Sequence, residues 1–141
     1  MTMIINETLR LYPPALSIFR RVSREIRLGK LLLPANIDLI IPTIVTHNDP
    51  KIWGEDVHLF KPDRFAEGVT KAAKNPMAYL PFGLGPRACV GINFAMTEAK
   101  LVLAMILQRY AFTLSPTYVH SPYQRLITLP QHGVQIILHA L

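Results

Sequence analysis

The sequence of 141 residues has little cysteine, few acidic residues and no long apolar run. Its one cysteine excludes an internal disulfide and is typical of a reducing compartment. The longest strongly apolar run, residues 101–107, is far too short to cross a bilayer. The first residues carry no basic segment, apolar core or cleavage signal. We therefore expect no targeting segment and no membrane anchor within this chain.

Acidic residues are also scarce: nine Asp and Glu stand against fifteen Lys and Arg, which gives a net charge of +6. The basic residues are dispersed and no nucleic-acid reading motif accompanies them, so we expect no nucleic-acid partner. A solvated positive surface is the simplest explanation, and an acidic protein partner is the functional alternative. The five histidines lack metal-ligand spacing and are predicted to be structural or exposed.

Apolar residues make up half of the chain, which is enough for one domain with a hydrophobic core. The residue patterns predict a short helix, followed by a β segment with a Gly29-Lys30 hairpin turn and a buried strand at 37–41. A proline-rich stretch anchored by Trp53 comes next. It is followed by a long apolar helix that is buried on several sides, and by terminal strands. In chain order these predicted segments are residues 4–11, 16–44, 47–80, 92–110, 112–114, 126–129 and 136–138, with a turn at 130–133 after the strand at 126–129.

The most informative stretch is residues 81–91, Pro-Phe-Gly-Leu-Gly-Pro-Arg-Ala-Cys-Val-Gly, which directly precedes the long helix. Its glycines permit a tight turn. The free N–H groups at the start of the helix point back toward the sulfur of Cys89 and favour a thiolate there. Such a thiolate is a nucleophile, a redox thiol or a metal ligand. An inert, buried cysteine is the alternative that a lone cysteine leaves open.

The spacing of seven positions in and after this loop closely resembles the haem-binding signature of cytochrome P450 monooxygenases; the positions are Phe82, Gly85, Arg87, Cys89, Gly91, Ala95 and Glu98. The resemblance implies that Cys89 is the axial thiolate ligand of the iron in haem b. It implies that Arg87 pairs with a haem propionate and that Phe82 packs beside the sulfur. The further cofactor-binding residues that it implies are Gly83, Gly91, Ala95 and Arg20, the last as a second propionate partner unless it is a solvated strand arginine.

Glu7 and Arg10 lie three residues apart and project from one face of the first helix. Such a pair at a surface is worth only about 0–1 kcal/mol. However, Pro62-Asp63-Arg64-Phe65 resembles the P450 segment whose arginine joins this pair in a buried network. Glu7, Arg10 and Arg64 are therefore predicted to be structural residues of the haem-side core, and no catalytic residue is identified. The resemblance also implies a substrate-pocket segment consisting of Ala15, Leu16, Ser17, Ile18 and Phe19.

The resemblance runs through the whole chain and implies an α+β fold, mainly α in the intact family. The implied order is a Glu-x-x-Arg helix, a β segment, a meander, the cysteine loop, a long buried helix and terminal strands. Segments 9–14, 52–56 and 131–134 are most like a plant clan that contains brassinosteroid, gibberellin and cytokinin hydroxylases. Complete P450s are several times longer, so residues 1–141 are predicted to be a partial domain, the C-terminal haem-ligating part. The apolar faces that missing helices would cover are expected to be exposed.

For the intact enzyme the resemblance implies hydroxylation of a small apolar molecule, a terpenoid, steroid or hormone-like compound. It implies O2 as co-substrate, electrons from NADPH through NADPH-cytochrome P450 reductase, and a place on the cytosolic face of the endoplasmic reticulum membrane. The isolated chain is expected to be inactive. The alternatives are an inert truncated product or passive haem binder, and a P450-fold isomerase or dehydratase, which the regular cysteine loop disfavours.

Overall fold

The computed structural model describes residues 1–141 as a mixture of short helices and strands. Its four α-helices are α1 (Thr2–Leu11), α2 (Thr43–His47), α3 (Pro50–Trp53) and α4 (Ile92–Leu107). Its three 3-10 turns are Pro62–Phe65, Val69–Lys71 and Gly85–Arg87. Its strands are β1 (Ser17–Arg21), β2 (Ile26–Leu28), β3 (Leu31–Leu33), β4 (Asp38–Pro42), β5 (Tyr110–Leu114), β6 (Pro122–Gln124), β7 (Thr128–Pro130) and β8 (Ile136–Ala140). No helix is long and apolar enough to traverse a lipid bilayer.

The eight strands form four separate antiparallel ribbons of two strands each: β1 with β4, β2 with β3, β5 with β8 and β6 with β7. In the first ribbon Ser17 pairs with Pro42 and Arg21 with Asp38. The predicted two-residue turn between β2 and β3 is confirmed, since Leu28 pairs with Leu31 and Gly29 adopts a φ of 59°. Glycine suits this turn because its lack of Cβ permits a positive φ.

The hydrophobic core is small and is formed mainly by residues of the proline-rich segment, 47–80. Trp53, Val57 and Phe65 form its buried cluster, and the Tyr79 ring packs edge-on to Phe65 with centroids 5.1 Å apart. The indole N–H of Trp53 donates to the carbonyl of Thr46 at 3.0 Å, which satisfies the polar atom of a buried ring. The predicted anchoring role of Trp53 is therefore confirmed. The segment lacks long helices because its prolines interrupt them.

Two predictions of burial are wrong. The long helix forms, but no residue of α4 is buried, and Leu101 is 60% exposed. Within this chain α4 packs mainly on α1 and β5, so most of its apolar surface has no covering element. Strand β4 forms as well, yet Ile40 is 65% exposed, because a two-stranded ribbon with nothing packed on its face cannot bury both sides. The expected exposure of apolar faces is thereby confirmed.

Candidate functional site

The loop before α4 is shaped by two left-handed glycines and one backbone hydrogen bond. Gly83 and Gly85 have φ values of 71° and 73°, a conformation that residues with a Cβ rarely adopt. They allow the loop to reverse so that the Cys89 N–H donates to the carbonyl of Phe82 at 2.8 Å. The Cys89 side chain is left exposed, three residues before the first residue of α4. The loop thus presents one sulfur at the start of the helix.

A cavity of about 520 Å³ lies beside this loop. It is lined by Pro14, Ala15, Ser17, Ile18, Phe19, Arg20, Leu80, Pro81, Phe82, Gly83, Arg87 and Cys89. The structure therefore brings five of the seven predicted cofactor-binding residues together with four of the five predicted pocket residues. It does not bring Leu16, Gly91 or Ala95 into the lining. Gly91 caps α4 and Ala95 lies in its first turn, beyond the loop.

Two guanidinium groups face this cavity. Arg87 makes no hydrogen bond or ion pair within the chain, so its charge is free to meet an anion. Arg20 is half-buried on β1, and its Nη1 donates to the carbonyl of Phe19 at 2.8 Å. The rest of the lining is mostly apolar or backbone, which suits a ligand with a flat apolar body and acidic substituents.

The donor set decides what kind of metal group fits. The chain contains no cluster of three or more His, Cys, Asp or Glu residues that could hold a metal ion. A single sulfur cannot by itself supply the several ligands that a bare ion needs. It can, however, complete the coordination of a metal already held by an organic ring. Cys89, with two cations beside it for acidic groups, fits an iron porphyrin.

A buried charge network joins α1 to the 3-10 turn Pro62–Phe65. Glu7 and Arg10 are both 0% exposed and bind in a bidentate way, with Arg10 Nε 2.8 Å from Glu7 Oε2 and Arg10 Nη2 2.9 Å from Glu7 Oε1. Arg64 Nε lies 3.4 Å from Glu7 Oε1, and the backbone N–H of Lys61 donates to the same oxygen at 2.9 Å. The structure thus places Glu7, Arg10 and Arg64 in one cluster.

Two members of this network were missed by the sequence reasoning. Asp56 binds Arg64 at 2.7 Å and Lys61 at 2.9 Å, and hydrogen bonds from Lys61 first and Arg64 second lower its pKa to about 2. His47 is 0% exposed, and its carbonyl accepts from Arg10 Nη1 at 2.9 Å. Burial lowers the pKa of the His47 ring to about 4. No spacing in the sequence distinguishes these two residues from other Asp and His.

The β6–β7 ribbon contains a strand close to the one predicted at 126–129, and it makes a contact that the sequence reasoning missed. The N–H of Thr128 donates to the carbonyl of Pro14 at 2.9 Å, and its hydroxyl donates to the carbonyl of Pro13 at 2.8 Å. These two bonds fix the ribbon beside the first residues of the cavity wall. They join positions more than one hundred residues apart, so no local pattern could reveal them.

The chain is similar to known proteins along almost its whole length. The family model described as "Cytochrome P450" matches residues 1–138. The chain is 59% identical over 140 residues to cytochrome P450 CYP749A22 of Panax ginseng and 51% identical over 140 residues to 11-oxo-beta-amyrin 30-oxidase of Glycyrrhiza uralensis. Each alignment covers 99% of this chain and 27% of the relative. The chain thus spans about a quarter of the length of these curated relatives.

The chain is also similar to 7-deoxyloganic acid hydroxylase of Catharanthus roseus, at 50% identity over 140 residues, with 99% of this chain and 27% of the relative covered. Among solved structures, retinoic acid bound cyanobacterial CYP120A1 superposes with a TM-score of 0.87 at 30% sequence identity. That alignment covers 99% of this chain and 32% of the solved one.

Proposed function

This chain belongs to the cytochrome P450 family, and from that premise we propose that residues 1–141 form the C-terminal, haem-ligating part of a haem-thiolate monooxygenase. Members of the family use haem b as their cofactor. The observation that carries the proposal is the cavity in which Cys89, Arg87 and Arg20 face an otherwise apolar wall. A thiolate-ligated haem, when bound, supplies the activation of O2 that hydroxylation needs.

The residues of this chain have separate roles in the proposal. Cys89 provides the sulfur ligand, and the bond from its N–H to the carbonyl of Phe82 holds that ligand in place. Arg87 and Arg20 would hold the acidic substituents of the cofactor. The Phe82 ring lines the same cavity and would pack beside the sulfur. A single sulfur from the protein would be sufficient, because the porphyrin itself would supply the nitrogen ligands of the iron.

The proposed substrate of the intact enzyme is a small apolar molecule of the terpenoid class. The names of two relatives, an amyrin oxidase and a deoxyloganic acid hydroxylase, support that class. Ala15, Ile18 and Phe19 contribute apolar atoms to the cavity wall, as such a substrate requires. The intact enzyme would take electrons from NADPH through a reductase, at the endoplasmic reticulum membrane.

For the isolated chain we propose cofactor binding without turnover. Only 12 of its 141 residues are buried, and α4 has no buried residue. Oxygen activation requires that the substrate be shielded from water. A substrate held against so incomplete a wall would not be shielded. Hydroxylation of beta-amyrin by this chain with reductase and NADPH would contradict the proposal.

The decisive experiment is a haem titration of the purified chain, followed by a difference spectrum of the reduced, carbon monoxide-bound form. We expect a thiolate-type Soret band that is lost in Cys89→Ala. Arg87→Ala should weaken haem binding by at least roughly tenfold, since a charge-assisted bond to a carboxylate is worth about 1.5–3 kcal/mol. Arg27→Ala is the matched control, because this exposed arginine lies on β2, away from the cavity. An unchanged Soret band in Cys89→Ala would overturn the ligand assignment.

A further inference from the structure

His47 is a fully buried residue whose two ring nitrogens have different surroundings. Its Nε2 accepts the backbone N–H of Leu80 at 2.9 Å, whereas Nδ1 has no hydrogen-bond partner in the chain. Because Nε2 accepts, the neutral ring must carry its proton on Nδ1. A buried N–H without a partner is destabilising. An apolar side chain of similar shape would avoid that penalty but could not accept the bond from Leu80.

The bond to Leu80 lies at the entrance of the cysteine loop. Leu80 and Pro81 both line the cavity. The carbonyl of Leu80 accepts the N–H of Gly83 at 3.1 Å, and two residues further on the carbonyl of Phe82 accepts the N–H of Cys89 at 2.8 Å. A short series of backbone bonds therefore connects the position of Leu80 to that of Cys89. Fixing the Leu80 amide fixes the start of this series.

The backbone of His47 belongs to the buried charge network. Its carbonyl accepts from Arg10 Nη1 at 2.9 Å, and Arg10 is bound twice to Glu7. The ring itself is held between two aromatic neighbours, with its centroid 5.8 Å from Tyr79 in a stacked arrangement and 6.4 Å from Trp53 edge-on. His47 thus contacts the rigid network through its carbonyl and the cysteine loop through its ring.

We propose that His47 is a positioning residue that couples the Glu7–Arg10 network to the cysteine loop and so holds Cys89 at the cavity. The proposal rests on the proposed function only where it concerns iron ligation at Cys89. The hydrogen bond between His47 and Leu80 can be tested without any cofactor. The positioning role does not require His47 to contact substrate or haem.

Two variants separate this role from simple filling of the core. His47→Gln retains an acceptor at about the depth of Nε2, whereas His47→Asn places its acceptor at the depth of Nδ1, where no partner exists. The test is amide hydrogen exchange of Leu80 and Cys89 in the 141-residue chain. His47→Asn should accelerate exchange at Leu80 at least about tenfold, and His47→Gln by less than about threefold. Val57→Ala is the control, because it removes apolar volume from the buried cluster around Trp53 without removing the bond to Leu80.

The second measurement is the reduced, carbon monoxide-bound spectrum of the haem-loaded chain. His47→Asn should convert part of the thiolate-type Soret band into a non-thiolate form, and His47→Gln should preserve it. Equal effects of the Asn and Gln variants, or an equal effect of Val57→Ala on Leu80 exchange, would overturn the proposal. If the parent chain takes up no haem, the proposed function fails, and the exchange experiment still decides the role of His47.

A readout on the unsubstituted chain guards against a variant that does not fold. Nitrogen NMR of the His47 ring should show a protonated Nδ1 and a coupling across the hydrogen bond from the Leu80 amide to Nε2. A ring protonated on Nε2 would overturn the proposal, because that tautomer cannot accept the bond from Leu80.

Discussion

Two ion pairs of this chain have similar lengths but opposite surroundings. Glu7 and Arg10 are 2.8 Å apart and 0% exposed, whereas Glu67 and Lys71 are 3.0 Å apart and more than half exposed. Water screens the second pair, and its side chains lose entropy when they hold one geometry. Water cannot reach the first pair, so removing one partner leaves a buried charge that is neither paired nor solvated.

We therefore expect Glu7→Ala to lower the free energy of unfolding by about 3–5 kcal/mol, since Arg10 loses its carboxylate. Glu67→Ala, the matched control, should change it by no more than about 0.5 kcal/mol. Urea unfolding followed through the fluorescence of Trp53, the only tryptophan, measures both. Similar midpoints for the two variants would contradict the buried network.

The second residue-scale prediction concerns pH and His47. Its pKa is about 4 in the folded chain and 6.5 ordinarily, so between these values the unfolded chain binds a proton that the folded chain does not. The stabilisation from keeping this ring neutral is therefore full above pH 6.5 and is lost as the pH falls toward 4. The loss attributable to His47 is at most about 3 kcal/mol.

Urea midpoints between pH 7 and pH 4 check this expectation. His47→Gln, which cannot titrate, should be less sensitive to pH across that interval. The lowered pKa of Asp56 acts in a separate interval, below its ordinary 3.8, so it does not obscure the result. An equal slope in the parent chain and in His47→Gln would contradict the assignment.

The residues of the network show what a sequence can reveal at this scale. Glu7, Arg10 and Arg64 could be predicted because helical spacing places two of them on one face and a recognisable segment carries the third. His47 could not, because its role depends on an amide 33 positions away and on burial that no pattern records. Asp56 likewise becomes informative only when Arg64 is beside it.

At the scale of elements, the cysteine loop separates two kinds of glycine. Gly83 adopts a φ of 71°, which a residue with a Cβ reaches only with strain. Gly91 adopts a φ of −89°, and an added Cβ would lie 3.8 Å from Cys89 Sγ, an ordinary contact distance. The first glycine is required by the backbone and the second is not.

Gly83→Ala should therefore destabilise the chain by about 1–2 kcal/mol and weaken haem binding, because the loop must change shape. Gly91→Ala should leave the free energy of unfolding within about 0.5 kcal/mol of the parent. Urea unfolding and haem titration of both variants provide the test. A larger loss of stability in Gly91→Ala than in Gly83→Ala would contradict the left-handed backbone conformation of Gly83.

Elements were easier to predict than their burial. Apolar residues at helical spacing correctly indicated α4, and the Gly29 turn correctly indicated β2 and β3. The same apolar pattern also indicated a helix enclosed by others, yet α4 packs mainly on α1 and β5. Burial depends on which other elements are present, and this chain spans only about a quarter of its curated relatives.

At the scale of the whole molecule, order is unevenly distributed. Every buried residue lies between positions 5 and 78, and residues 91–141 contain none. The two ribbons β5–β8 and β6–β7 have few buried contacts to hold them closed. Segments of this kind open at a lower free energy than the core.

Limited trypsin digestion should therefore cleave after Arg109 and Arg125, which are exposed, before it cleaves after Arg10 and Arg64. Mass spectrometry of the early fragments identifies the order. First cleavage after Arg64 would contradict the location of the core. Bound haem should slow cleavage after Arg87, which lies in the cavity wall, since a ligand stabilises the state that binds it.

The exposure of Cys89 has a consequence for handling the protein. As the only cysteine, it can form a disulfide only with a second molecule. A sulfur joined to another chain is no longer a thiolate and cannot ligate iron. Oxidative dimerisation and pigment uptake are therefore mutually exclusive for each molecule. In an ageing preparation, the red colour should fade in proportion to the dithiothreitol-reducible dimer that accumulates.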